Sequence, residues 1–161
     1  MNELTEVAPA FVTMAHRIVW CTVATIDPSG RPRTRVLHPI WAWDGDRLTG
    51  WVATSPHSPK ARDIAGHPEV SLTYWDPSHD TCTADCSVEW EVSAEERQAG
   101  WNRFANGPSP VGYDPSIIPG WTGPEAPEFG ILRLEPHRLR VMPGSMMVTG
   151  QGTLLTWSDG S

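Results

Sequence analysis

The alternation of apolar and polar residues predicts a protein built mainly from β-strands. Arg17–Asp27, Arg33–Trp43 and Leu48–Thr54 are each rich in β-branched or aromatic residues, which favour strands. Pro28-Ser29-Gly30 and Asp44-Gly45-Asp46 separate these segments, and both are typical of tight turns. The three strands are therefore predicted to form an antiparallel meander.

The rest of the chain adds short helices, more strands and one long loop. Helices are predicted at residues 7–17, at Lys60–Ala65 and from Ser93 to about Asn106. Residues 107–127 are rich in proline and glycine, so they predict an irregular loop of a length that is usually functional or mobile. Further strands are predicted at Val70–Trp75, Cys82–Val92, Phe129–Leu134, Leu139–Met142 and Met147–Trp157.

This order of elements predicts one mainly β domain over residues 1–161, an antiparallel β-barrel with a few short helices. The net charge of −7 argues against general nucleic-acid binding, although a local basic patch could still hold a small phosphate. The sequence lacks both an apolar run of membrane-spanning length and a signal-like leader, so we expect a soluble cytoplasmic protein that binds no membrane. Three cysteines are too few for a disulfide scaffold.

The strongest candidate for chemistry is the segment from Thr54 to Lys60. A strand ends at Thr54, Ser58 and Pro59 are typical of a helix start, and a lysine follows in the first helical turn. The positive end of the helix dipole repels a cation at this position. An anion bound between the two would remove this repulsion. The alternative is a solvated lysine beside an ordinary serine cap.

Arginines alternate along the strand that begins near Gly30. Arg31, Arg33 and Arg35 share one face at the period of a strand, and like charges on one face repel each other unless an anion pairs with them. A solvated outer face is the ordinary interpretation of this pattern. The functional one is that Arg35 reaches the same phosphate as Lys60, since arginine binds phosphate through two parallel hydrogen bonds.

Four motifs in this order resemble the pyridoxamine phosphate oxidase-like, flavin-binding split β-barrels. They are Gly-x-Pro-x-x-Arg-x-Leu on the second strand, then Asp-Gly-Asp, Thr54…Ser58-x-Lys60-Ala61 and His67-Pro68-Glu69-Val70-Ser71-Leu72. The resemblance covers residues 15–92 and resumes more loosely at residues 129–134 and at Trp157.

This resemblance implies a homodimer with flavin sites at the subunit interface. By analogy with the family, Arg35 and Lys60 would bind the phosphate of FMN with help from Thr54, Ser55 and Ser58. Val36 and Leu37 would lie along the isoalloxazine ring through backbone and apolar contacts.

Two departures argue against oxidation of pyridoxamine phosphate itself. The position of Ile40 is basic in the authentic oxidases, and their Arg-x-His substrate element is replaced here by Arg138-Leu139-Arg140. The tryptophan-rich, proline-rich character is similar to an actinobacterial branch of the superfamily. Some members of that branch use the deazaflavin coenzyme and others bind haem.

The remaining candidates have ordinary structural interpretations. His79, Cys82 and Cys86 could suggest zinc, but two cysteines four residues apart on a strand lie roughly 13 Å from each other, so we predict no metal site. Two histidines, His38 and His57, border the proposed cofactor site and are interpreted as structural. Trp75, Trp121 and Tyr113 adjoin irregular segments and are candidates for a ligand wall or lid.

The sequence as a whole predicts a flavin-dependent oxidoreductase, with FMN as cofactor, that transfers hydride to or from a small organic substrate. A deazaflavin-dependent reductase and a non-catalytic flavin- or haem-binding stress or sensor protein are the alternatives. No catalytic side chain is assigned, because a flavin itself carries the hydride.

Overall fold

The computed structural model describes residues 1–160. Within them lie eight strands, four α-helices and one 3₁₀ turn at Pro115–Ile117. The helices are α1 Leu4–Ile18, α2 Pro59–Gly66, α3 Ala94–Ala105 and α4 Gly144–Thr149. The strands are β1 Cys21–Ile26, β2 Pro32–Leu37, β3 Ile40–Trp43, β4 Leu48–Thr54, β5 Glu69–Trp75, β6 Thr81–Glu91, β7 Gly130–Met142 and β8 Leu155–Ser158.

All eight strands form one antiparallel sheet in the order β2-β1-β5-β6-β7-β4-β3, with β8 paired to β7. The strands at the two ends of this path, β2 and β3, do not pair with each other in the described part of the chain, so the sheet is not closed. The predicted fold class, a mainly β split barrel with few helices, is confirmed.

The predicted three-strand meander is wrong. The segment Arg33–Trp43 is two strands, broken at His38-Pro39, because proline has no N–H to give to a β-ladder. β2 pairs with β1, whereas β3 pairs with β4 at the opposite end of the sheet. The break gives β2 a free edge, and this edge borders the candidate site.

Three other boundaries also differ from the prediction. The first helix continues to Ile18, and Val19, with φ of 75°, turns the chain so that β1 starts only at Cys21. The segments Phe129–Leu134 and Leu139–Met142 are parts of one strand, β7, whose register with β6 shifts opposite Asp85 and Cys86.

Met147–Trp157 is not one strand. Its first residues end α4, which stops at Gly150 in the left-handed conformation at φ of 72°, and only the last part pairs with β7 as β8. The apolar run of Met146, Met147 and Val148 is compatible with either a helix or a strand. Gly150, which adopts the left-handed conformation, ends the helix.

Two apolar clusters hold the fold together. The larger lies between α1 and the sheet, where Phe11 is fully buried with its ring edge-on to Trp41 at 4.9 Å and to Tyr74 at 6.1 Å. The smaller packs α3 and the 107–127 loop against β7 around Phe104 and Phe129. Among the helices described, none combines the length and the apolar character that crossing a bilayer demands.

Candidate functional site

A cleft of about 740 Å³ lies between the free-edge strand β2, the turn after β1 and the start of α2. Its walls carry four cationic side chains and two carboxylates, which gives a formal net charge of +2 in a chain whose total is −7. The lining residues are Asp27, Pro28, Ser29, Arg33, Thr34, Arg35, Pro59, Lys60, Arg62 and Asp63.

Lys60 is the only lysine in the sequence, and it is buried, with 8% of its surface exposed. Its Nζ donates to Thr54 Oγ1 at 2.8 Å and to Ser58 Oγ at 2.7 Å. In residues 1–160 no carboxylate lies within ion-pair distance of this ammonium. Burial, and secondarily the positive charge of Arg35, lower the pKa of Lys60. A buried cation with only neutral partners is costly, so the site favours an anion.

Arg35 comes to the same cleft from β2, so the predicted convergence of Arg35 and Lys60 is present. Its Nη1 donates to the carbonyl oxygens of Val23 at 3.2 Å and Arg33 at 3.1 Å. Its Nη2 lies 3.5 Å from Oδ2 of Asp63, a buried carboxylate on α2. These three contacts fix the guanidinium and leave donor capacity for a ligand.

The hydroxyl groups of the loop from Thr54 to Ser58 do not line the cleft, but those of Thr54 and Ser58 contact the Lys60 ammonium. Ser58 is at the N-cap position as predicted, but its hydroxyl donates to the Ser55 carbonyl oxygen at 2.8 Å and does not cap the helix. The Ser55 hydroxyl donates to Glu128 Oε2 at 3.0 Å. Gly130 lets β7 approach this loop, since a Cβ there would lie 2.8 Å from the Thr54 carbonyl oxygen.

The predicted ring contacts, Val36 and Leu37, follow Arg35 directly on β2. Val36 is 61% exposed and Leu37 is half-buried. Because neighbouring residues on a strand point to opposite faces, Val36 lies on the face away from Arg35. The free edge of β2 presents backbone groups that pair with no other strand in residues 1–160.

Sequence reasoning missed the acidic residues of the cleft. Asp27 accepts from the Ser29 and Arg31 amides and pairs with Arg33 at 3.0 Å, which lowers the pKa of its carboxyl. Asp63 accepts from the buried Thr25 hydroxyl at 2.7 Å. One available signal was the spacing of Lys60 and Asp63, three residues apart and thus on one helix face.

Several other candidates lie elsewhere. Trp121 is buried against Phe129, with ring centroids 5.1 Å apart, so the structure corrects its assignment to a ligand wall. The Tyr113 ring lies 5.2 Å from that of His38 and is tilted by 34° to it, whereas Trp75 is 55% exposed on the outer sheet face. The three cysteine thiols are free and buried, and no trio of His, Cys, Asp or Glu in residues 1–160 could hold a metal ion.

The lowered pKa of Lys60 predicts a pH effect on stability. The unfolded chain keeps this proton up to about pH 10.5, whereas the folded protein releases it at a lower pH. Between these two values the unfolded state binds more protons, so the contribution of Lys60 to the free energy of unfolding rises with pH. Ligand-free wild type should therefore gain stability relative to a Lys60→Met variant as pH rises through this window. Urea unfolding at a series of pH values measures the difference, and a difference that shrinks or reverses contradicts the assignment.

A family model described as pyridoxamine 5'-phosphate oxidase matches residues 7–142, which is most of the chain. The chain therefore belongs to the pyridoxamine 5'-phosphate oxidase-like family. A sequence comparison with curated proteins gives no match.

Solved structures show the same fold with different named ligands. A pyridoxamine 5'-phosphate oxidase-related, FMN binding protein from Nostoc punctiforme is similar over 100% of this chain and 99% of its own, at 17% identity and a TM-score of 0.65. An F420 reductase covers 80% of this chain and 94% of its own, at 20% identity and a TM-score of 0.54. A heme binding protein from Mycobacterium smegmatis covers 98% of this chain and 59% of its own, at 15% identity and a TM-score of 0.59. At these identities the likeness establishes the fold alone.

Proposed function

We propose that this protein is an FMN-binding oxidoreductase that holds the cofactor's phosphate between Arg35 and Lys60. The observation that carries the proposal is the buried Lys60 ammonium, whose hydrogen-bond partners are two neutral hydroxyls. An anionic oxygen at this point gives the ammonium the opposite charge that residues 1–160 do not supply within ion-pair distance.

The charge of the cleft favours a phosphate monoester. A monoester carries about −1.5 to −2 at pH 7. Four cations and two carboxylates in the cleft sum to +2, which balances that charge. Asp27 and Asp63 offset the charges of Arg33 and Arg35, so the net charge of +2 corresponds to Lys60 and Arg62, while Arg35 contributes its free N–H donors to the phosphate.

The rest of the cofactor would follow the free edge of β2 past Val36 and Leu37. The two residues of strand beyond Arg35 span about 7 Å, and the ribityl chain would run along them from the phosphate toward the ring. Thr54 and Ser58 would keep Lys60 in place, and Ser55 would exchange its bond to Glu128 for one to the phosphate.

When bound, the flavin supplies the hydride transfer, and the side chains of this protein bind and orient it. The protein surface then has to present a small organic substrate to the exposed face of the ring. The family resemblance and the Nostoc neighbour support this class of chemistry.

Purification tests the cofactor directly. We expect a yellow protein with flavin absorbance that releases a compound with the mass of FMN on denaturation. A colourless protein that binds the deazaflavin instead would favour the reductase alternative, and a haem Soret band would favour a haem-binding role. NAD(P)H oxidation by the flavin-loaded protein would argue against a sensor without turnover.

We also propose that the protein is a homodimer formed through the outer face of β2, β1 and β5. Cross-strand pairs place uncharged residues over this face in two rows, and two exposed tryptophans lie beside it. An exposed face of uncharged residues flanked by exposed tryptophans is typical of a contact between proteins, since interface centres are depleted of charge and enriched in aromatic residues. The residues concerned are Thr34, Ala24 and Ser71 in one row, Val36, Thr22 and Thr73 in the next, and Trp20 and Trp75.

A charge placed on this face should break the dimer. We expect Trp75→Arg to elute as a monomer and to lose FMN affinity, because buried unpaired charge is costly at an interface. Light scattering after gel filtration measures the mass. The matched control is Val92→Arg, which alters another exposed apolar residue, 78% accessible, and should stay dimeric. A dimeric Trp75→Arg protein would show that the contact lies elsewhere.

A further inference from the structure

We infer that Asp63 is a positioning residue that holds Arg35 in the orientation needed to bind the cofactor phosphate. This inference rests on the proposed function, because it concerns the same site. Asp63 is not expected to touch the ligand itself. Its place beside a phosphate is otherwise unexpected, since a carboxylate repels that anion.

The geometry shows how the carboxylate is held. Asp63 lines the cleft and is 3% exposed, and Thr25 is 1% exposed, so both side chains are shielded from solvent. The Thr25 hydroxyl on β1 donates to Asp63 Oδ2 at 2.7 Å. This bond joins α2 to β1 and fixes the oxygen that faces Arg35.

The same oxygen then orients the guanidinium. Arg35 Nη2 lies 3.5 Å from Asp63 Oδ2, while Nη1 donates to the carbonyl oxygens of Val23 and Arg33. An arginine has five N–H donors in a rigid plane, so three fixed contacts determine where the other donors point. Fixing the plane in advance removes the entropy cost of ordering this long side chain when the phosphate binds.

Asp63 also explains how the buried Lys60 and the half-buried Arg35 can share one cleft. Lys60 and Arg35 repel each other, and this repulsion contributes to the lowered pKa of Lys60. Asp63 is three residues after Lys60 on α2 and lies on the Arg35 side, so it offsets that repulsion. Without it, Arg35 should turn toward solvent, away from Lys60.

The test compares FMN with riboflavin, which has the same ring and ribityl chain without the phosphate. In Asp63→Asn, which keeps the size and the bond from Thr25, we expect the Kd for FMN to rise at least tenfold. The Kd for riboflavin should stay within twofold of wild type. Thr25→Val keeps the Asp63 carboxylate but removes the hydroxyl that donates to it. This variant should show a smaller rise in the Kd for FMN, again without a change in the Kd for riboflavin. A general loosening of the fold would weaken both ligands equally, and fluorescence quenching measures both constants.

Asp27→Asn is the matched control. It removes the same charge from the same cleft, but Asp27 pairs with Arg33 and not with Arg35. If Asp63 acted only through its charge, both variants would bind FMN more tightly. We expect Asp27→Asn to bind FMN no more weakly than wild type and Asp63→Asn to bind it more weakly.

The possible failures can be told apart. A wild-type protein that binds neither FMN nor riboflavin overturns the proposed function. A wild-type protein that binds FMN more tightly than riboflavin, with Asp63→Asn unchanged or tighter for FMN, overturns the positioning role alone. If Asp63→Asn weakens riboflavin binding as much as FMN binding, the positioning role is also overturned, because the substitution would then disturb the whole pocket.

Discussion

Replacing Lys60 with methionine should weaken FMN binding by roughly 30-fold. A hydrogen bond to a charged group contributes about 2 kcal/mol, which corresponds to that factor in Kd. Methionine is unbranched and similar in length, so it fills the same space without the charge. Titration of flavin fluorescence in the purified variant measures the change, and riboflavin, which lacks the phosphate, should bind with unchanged affinity.

The same variant should have the opposite effect on the ligand-free protein. A buried cation without an opposite charge costs stability, and an apolar replacement is usually neutral or stabilising. The melting temperature without FMN should therefore equal or exceed that of wild type. With saturating FMN the order should reverse, because the ligand stabilises the protein that binds it better.

Arg138→Met is the matched control for the loss of one positive charge. Arg138 lies outside the cleft on β7, with 69% of its side chain exposed. It should leave FMN affinity unchanged within experimental error. Equal losses in the two variants would mean that the total charge of the protein, and not the position of Lys60, determines binding.

Phe11→Ala should destabilise the fold by about 3 to 5 kcal/mol, as is typical for deleting a buried aromatic ring. Phe11 is fully buried at the centre of the larger cluster, where it joins α1 to Trp41 and Tyr74. Trp41 Nε1 donates to the Tyr74 hydroxyl at 2.9 Å, so loss of the ring also leaves this buried pair poorly supported. Urea denaturation of the ligand-free protein measures the loss.

Thr13→Ala, two residues further along α1, provides the comparison. Thr13 is exposed, and within residues 1–160 its hydroxyl bonds to the Pro9 carbonyl oxygen of the same helix alone. A change within about 0.5 kcal/mol is expected at such a surface position. A comparable loss in both variants would show that α1 contributes through its own helical stability and not through packing on the sheet.

The sequence allowed the two cations of the site to be predicted, because each lies in a local pattern. Lys60 follows a recognisable helix start, and Arg35 is part of an alternating strand. The two segments converge in the folded chain around one cleft. Local patterns of this kind depend on a few neighbouring residues, so they can be recognised without knowledge of the tertiary structure.

The carboxylate that holds Arg35 could not be predicted in the same way. Asp63 is an ordinary helical residue in the sequence, and its partners Thr25 and Arg35 lie on other elements. Which distant strand packs under a helix depends on the whole sheet. The pairing of β3 illustrates the same limit, because alternation predicts a strand but does not say which neighbour it joins.

The loop at residues 107–127 shows how composition can mislead. Its proline and glycine content suggested a lid, yet Val111, Trp121 and Ala126 are buried in the smaller apolar cluster. Large apolar side chains in an irregular segment therefore carry more information about packing than the prolines around them. Tyr113, whose ring lies against that of His38, is placed near the end of β2.

The single lysine makes the central claim directly measurable. Protein labelled with ¹⁵N-lysine has one side-chain ammonium to observe by NMR, that of Lys60. We predict that FMN shifts this resonance and raises the pKa of Lys60, whereas riboflavin at the same occupancy changes neither. If FMN binds and the Lys60 signal stays unchanged, or if riboflavin shifts it equally, the phosphate is not held at Lys60.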